Sequence, residues 1–228
     1  MIDAREHFQK ELLKLNELIL KMGGMVEQAI FKSVKALANM DSKIAEEVVA
    51  ADDKIDKVEL AVDDLCLELL ATQQPMAIDL RFVTTGMRIA TDLERMGDLS
   101  VDIAQRAEEI ASQPMLKPFV DIPKMGELAQ RMVHNALDAF VRKDADMARA
   151  LWKDEEQADC YRDLVHDELL GIMKQDPMAA PRAIPLILIA RHLERIADHA
   201  TNIGEDVIYM VEGKVVKHLP KEISKYST

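Results

Sequence analysis

Two stretches of this chain carry residues that could do chemistry, and they are near copies of each other. Leu93-Glu94-Arg95-Met96-Gly97-Asp98 and Leu193-Glu194-Arg195-Ile196-Ala197-Asp198 both read L-E-R-x-x-D, 100 positions apart. The agreement extends to Ile89-Ala90 with Ile189-Ala190, and to Ile103 with Ile203. On a helix, residues four apart share a face. Glu94, Asp98 and Asp102 therefore form a column of carboxylates, and Glu194, Asp198 and Asn202 form its counterpart. Like charges at that spacing destabilise a helix by roughly 0.2–0.5 kcal/mol per pair. A cost repeated in both copies points to a compensating cation. A solvated acidic face is the alternative reading that either column alone allows.

The duplication reaches further back. Met22-Gly23 aligns with Met125-Gly126 at an offset of 103, and the same offset brings Asp41 to Asp144, Asp52 to Glu155 and Asp56 to Asp159. Each half thus has a second acidic pair on the preceding helix. Helices joined by short loops lie antiparallel, so each half can bring about four carboxylates to one groove. Oxygen donors without thiolates suit hard cations such as Mg²⁺, Mn²⁺, Ca²⁺ and ferric iron. Adjacent columns could hold a multinuclear cluster. Without a cation, proximity raises the pKa of some of the carboxyls.

The other titratable residues give less. His192 and His199 flank the second column, but Asp92 and Leu99 stand at those places in the first. The repeat does not support the histidines as ligands, and they read as polar surface residues. A carboxylate-bridged di-metal enzyme built in a helix bundle uses Glu-x-x-His pairs. Neither column contains one, and Asp163 with His166 is the nearest approach. Arg95 and Arg195 sit about 100° around the helix from the columns; they read as partners of neighbouring carboxylates, or as groups that orient ligands or touch a partner. No Gly-rich phosphate loop or nucleophile–base arrangement emerges.

The elements that must position these residues are helices. Phe8, Leu12, Leu15, Ile19, Met22, Val26, Ala29, Ser33, Ala36 and Met40 step by alternating fours and threes, the seam of a long bundle helix. Gly23-Gly24 interrupts it, allowing a kink or a close helix contact. Asp41-Ser42 caps a second helix, Pro75 closes the connection, and a third runs from about Ala77 through Ile110. Pro114, Pro118 and Pro123 mark a linker. Helix four starts at Asp121-Ile122-Pro123, helix five follows a cap at Asp144, and helix six runs past Pro185 to about Val211. The expected organisation is a first three-helix unit over 1–112, a linker over 113–123, a second unit over 124–213 and a loose tail over 214–228.

Composition narrows the function classes. A hydrophobic content of 49% is enough for a packed core, and 14 Met with only 4% aromatics suits helices filled by aliphatic side chains. A formal net charge of −12 disfavours nucleic acid and anionic membranes as partners and suits cations. Cys66 and Cys160 have no ligand spacing and read as reduced cytosolic thiols. The N-terminus does not read as a signal peptide, and no apolar run reaches the roughly 18 residues of a membrane span.

The L-E-R-M-G-D and L-E-R-I-A-D motifs resemble the paired motifs of the PhoU family. So do Met22-Gly23-Gly24-Met25-Val26-Glu27 and Gln74-Pro75-Met76-Ala77-Ile78-Asp79-Leu80-Arg81. The resemblance spans about Phe8 to Val211. It implies an all-α fold of two tandem three-helix bundles. It also implies one multinuclear cluster per bundle, of iron, Mn, Mg or Zn. The implied ligands are Asp52, Asp56, Glu94 and Asp98 in one half, and Glu155, Asp159, Glu194 and Asp198 in the other. Asp102 and Asn202 continue the columns, and the neutral Asn202 sets the halves apart. The implied function is regulation of phosphate uptake by a cytoplasmic homodimer, through the ATPase of the phosphate ABC transporter and by damping a phosphate-starvation sensor kinase. No catalysis follows. A carboxylate-bridged di-metal enzyme and a metal-free helical interaction module are the alternatives.

Overall fold

The computed structural model describes residues 2–117 and 120–217. Pro118 and Phe119 of the linker, and residues 218–228 of the expected tail, lie outside them. The described chain is all-α: α1 (Ile2–Asn39), α2 (Ser42–Gln73), α3 (Ile78–Ala111), α4 (Asp121–Arg142), α5 (Ala145–Gln175) and α6 (Ala180–Glu212). A single 3₁₀ turn, Pro177–Ala179, precedes α6.

Local chemistry sets the boundaries. The Asp41 carboxylate accepts from the backbone N–H groups of Lys43 and Ile44 at 2.9 and 3.4 Å, so α2 starts where an N-cap should start it. Asp144 does the same for α5, accepting from Asp146 and Met147 at 2.9 Å each. Gly213, in the left-handed region at φ 71°, closes α6, its N–H donating to the Tyr209 carbonyl at 2.8 Å. Pro185 lies inside α6, six residues into the helix, without ending it. The next chain segment is not free: Lys217 returns to the Asp206 carboxylate at 3.3 Å.

Helices α1, α2 and α3 pack on one another, as do α4, α5 and α6, and the two bundles join through α3 against α6 and α1 against α4. Those joints pair equivalent helices, which is what a pseudo-two-fold axis between the halves requires. The glycines confirm the relation. A Cβ on Gly23 of α1 would stand 2.1 Å from Leu137 of α4, and one on Gly126 of α4 would stand 2.8 Å from Val34 of α1. Leu137 lies 103 positions after Val34, so the two contacts are mates. Gly23 therefore provides a close approach and no break, and α1 runs through it. One hydrophobic cluster extends through both bundles, from Leu15 and Ile19 to Ile203 and Val207. Across the halves, Phe82 stacks on Phe140 at 5.2 Å between centroids. No helix among the described residues is long and apolar enough to cross a membrane.

Candidate metal-binding grooves

In the first half the columns come from α2 and α3. Asp52 is half-buried on α2 beside Gly97 of α3, whose missing Cβ leaves the Asp52 Oδ1 3.3 Å from where that atom would be. A Cβ at this position would press on both Asp52 and Ile55, so glycine eases the close approach of the carboxylate to α3. An apolar cleft of about 260 Å³ adjoins it, floored by Met25, Val48, Ile55 and Val101. Burial pushes the Asp52 carboxyl up to about 6, and Asp56, Asp98 and Asp53 add to the rise. Glu94 is also raised, by burial and then by Asp98, with Arg95 pulling the other way. Carboxylates of α2 and α3 thus face one another strongly enough to oppose each other's ionisation. Asp52, Asp56, Glu94 and Asp98 fall in one field. Asp102 lies one turn on, 3.9 Å from His192 of α6, at the joint between the bundles.

Arg95 behaves as a local partner. Its Nη1 is 3.2 Å from Asp98 and its Nε 3.4 Å from Glu94, all on α3. Glu59, on the groove-facing side of α2, was not singled out in the sequence. It is raised by burial and by Asp63 and Asp56.

The second groove has the same frame. Asp198 is half-buried and pushed up to about 6, by burial and then by Glu194, Glu155 and Asp159, with His199 opposing. Here a cation already stands among the carboxylates. Arg162 Nη1 lies 2.9 Å from Asp159 and 2.6 Å from Glu194, joining α5 to α6. Its Nη2 is 2.9 Å from Asp163. An open depression of about 770 Å³ adjoins it, lined by Arg162, Arg191, Arg195, Glu194 and Asp198. Asn202 is half-buried at the end of the column.

The surface reading of His192 and His199 is corrected. Their side chains are only 16% and 19% exposed and point across the bundle joint. His199 Nδ1 is 2.8 Å from Asp92 of α3, and burial lowers the His192 pKa. Helix α6 touches α3, α4 and α5, so its polar positions have little solvent to face. Cys66 is a buried thiol pushed up to about 12 by burial, and Cys160 is an exposed free thiol.

The donor chemistry of the first groove fits a hard cation: oxygen donors only, on two helices, at a charge density that already resists ionisation. No three His, Cys, Asp or Glu among the described residues are gathered tightly enough to hold an ion as their side chains stand. Mutual repulsion splays such side chains when no cation draws them in. The second groove fits less well, because the Arg162 guanidinium already occupies it.

Comparison with known proteins settles the family. The PhoU domain model matches residues 19–107 and again 122–207, one match for each bundle. The chain belongs to the PhoU family. Over 215 residues it is 38% identical to a phosphate-specific transport system accessory protein PhoU homolog of Pseudomonas aeruginosa, covering 94% of this chain and 89% of that one. A homolog from Aquifex aeolicus is 39% identical over 209 residues, covering 92% and 95%. The Escherichia coli K12 phosphate-specific transport system accessory protein PhoU is 32% identical over 212 residues, covering 93% and 88%. The crystal structure of PhoU from Pseudomonas aeruginosa matches with a TM-score of 0.87, covering 91% of this PhoU-family chain and 100% of that one. A PhoU crystal structure from Streptococcus pneumoniae matches at 0.86 with 32% identity, covering 92% and 99%.

Proposed function

We propose that this chain is an accessory and regulatory protein of phosphate-specific transport. It acts in the cytoplasm by binding rather than by catalysis. The observation that carries the reading is the match, over nearly the whole of both chains, to relatives named for that role. In this reading the protein, as a homodimer, contacts the ATPase of a phosphate ABC transporter. It also damps a phosphate-starvation sensor kinase when phosphate is plentiful. Its carboxylate columns hold hard metal ions of the iron, Mn, Mg or Zn class, with the fuller oxygen set on the first groove. Bound ions would offset the repulsion that raises Asp52 and Glu94, and would draw α2 and α3 together. Open coordination positions would let a partner's carboxylate or phosphate reach the ion.

The test is binding of the full chain to the transporter ATPase and to the kinase, with Mn²⁺ and after chelation. Circular dichroism confirms that the helices persist in both states. The expected result is affinity at least about tenfold weaker, about 1.4 kcal/mol, for the chelated but folded protein. Equal affinity in the two states would remove the metal from the mechanism. Absence of binding in both would remove these partners. Elemental analysis of protein purified without added metal separates the metal-bearing reading from a metal-free interaction module.

A further inference from the structure

The register between the halves is fixed by buried positions. At an offset of 103, Ala45 and Ala148, Val48 and Leu151, Ile55 and Ala158, and Val62 and Val165 are buried in both. That register places Glu59 of α2 opposite Arg162 of α5 in the repeat, and Asp63 opposite His166. At the offset of 100 that relates α3 to α6, Asp102 corresponds to Asn202. All three changes make the second groove less negative. Changes also run the other way, among them Lys54 to Gln157, Lys57 to Cys160 and Leu60 to Asp163, and the Asp163 carboxylate accepts from Arg162 Nε and Nη2 at 3.0 and 2.9 Å. The added acid therefore serves the arginine.

The consequence is geometric. Arg162 ties Asp159 of α5 to Glu194 of α6. Among the described residues no ion pair crosses from α2 to α3, and Arg95 pairs only with Glu94 and Asp98 of its own helix. We infer that Arg162 is a built-in cation of the second groove, standing where the first groove is left to a metal ion, so that divalent metal loads preferentially on the first half. The inference rests on the metal-binding reading proposed above. A tethered guanidinium is held at its carboxylates by the chain itself, and its planar fork donates to several carboxylates at once. A metal entering the second groove must first displace it. A metal entering the first meets carboxylates that, among the described residues, pair with Arg95, which is 57% exposed.

The test uses the full chain, stripped of metal and titrated with Mn²⁺, with bound metal read by equilibrium dialysis and elemental analysis. Wild type is expected to show tight uptake that the double substitution Asp56→Asn with Asp98→Asn weakens at least tenfold. Arg162→Glu, which gives the second groove the acid of the first, is expected to add a second set of tight ions. Arg162→Gln is the milder companion should the glutamate disturb folding. It is expected to gain uptake too, and to show a larger Mn²⁺-dependent rise in melting temperature than wild type. If the first-groove double variant keeps about half of the wild-type tight sites, both grooves load and the inference is overturned while the metal reading stands. Unchanged stoichiometry in both Arg162 variants overturns it as well. Uptake by none of the proteins overturns the inference together with the metal reading.

Discussion

The two grooves share a scaffold and differ in charge. Inside, Leu93 and Leu193, Ile89 and Ile189, and Met96 and Ile196 occupy matching buried places. On the groove surface, Glu59 faces its own kind where Arg162 links Asp159 of its own helix to Glu194 of α6. Burial explains the contrast. A change of volume at a close-packed position is felt by every neighbour, so matching core places stay apolar, and the loss of volume from Ile55 to Ala158 goes with the gain from Gly97 to Ala197. A half-exposed side chain on the groove rim is screened and can change sign at modest cost. Two solutions to the same repulsion result: one leaves room for an outside cation, and the other supplies a cation from the chain.

The strongest way to test the shared scaffold is to cut it equally in both halves. Leu93 is fully buried and Leu193 is 1% exposed, each at the first position of its L-E-R motif. Leu93→Ala and Leu193→Ala should each lower stability by about 2–5 kcal/mol, measured by urea unfolding. Because one core runs through both bundles, each variant should unfold in a single transition. Two separated transitions would mean that the bundles are independent and that the pseudo-symmetric joint contributes little.

Charge exchange should give a smaller and opposite effect in the two halves. In metal-free protein, Arg162→Glu breaks the link from α5 to α6 and adds repulsion, lowering stability by about 1–3 kcal/mol. Arg162 is itself 32% exposed, so screening holds the value toward the lower end. Glu59→Arg removes like-charge repulsion and can reach the carboxylates of α2 and α3. It should raise stability by up to about 1 kcal/mol. Thermal melts of the two variants in chelator check the signs. Equal signs would show that the grooves are not charge-inverted equivalents.

Much of this was legible in the sequence. Periodicity and caps placed six helices, with Asp41 and Asp144 acting as the N-caps they resemble. Internal repetition placed the acidic columns. Sequence did not show what each helix faces. His192 and His199 read as surface residues because the repeat, with Asp92 and Leu99 at the matching places, gives them no ligand role; the joint with α3 buries them. Asp206 was missed for the same reason. It is 1% exposed, with Arg88 of α3 at 3.1 Å and Lys217 at 3.3 Å. Arg162 was within reach, since extending the 103 offset by three residues from Asp159 exposes the inversion at Glu59. Its link to Glu194 depended on the packing of α5 against α6.

The mildest test uses protons in place of metal. Asp52 in the first groove and Asp198 in the second are each pushed from 3.8 up to about 6. A carboxyl whose folded pKa lies above its unfolded value holds its proton more tightly in the folded state. Its ionised form therefore opposes folding. That opposition is complete above about pH 6 and vanishes below 3.8, so stability falls as pH rises through this window. In chelator, the melting temperature should be higher near pH 5 than at pH 7.5, and Asp52→Asn and Asp198→Asn should each flatten the difference. For a chain of this size the shift is about 2–4 °C per kcal/mol, so differential scanning calorimetry resolves it. Manganese then separates the grooves. Metal and proton compete for the same oxygens, so in saturating Mn²⁺ the Asp52 contribution should reverse, with stability rising with pH as the ion displaces the proton. The Asp198 contribution should keep its sign, because Arg162 holds Asp159 and Glu194 beside it and a metal would have to displace that guanidinium. Reversal at both positions would make the second groove a metal site like the first.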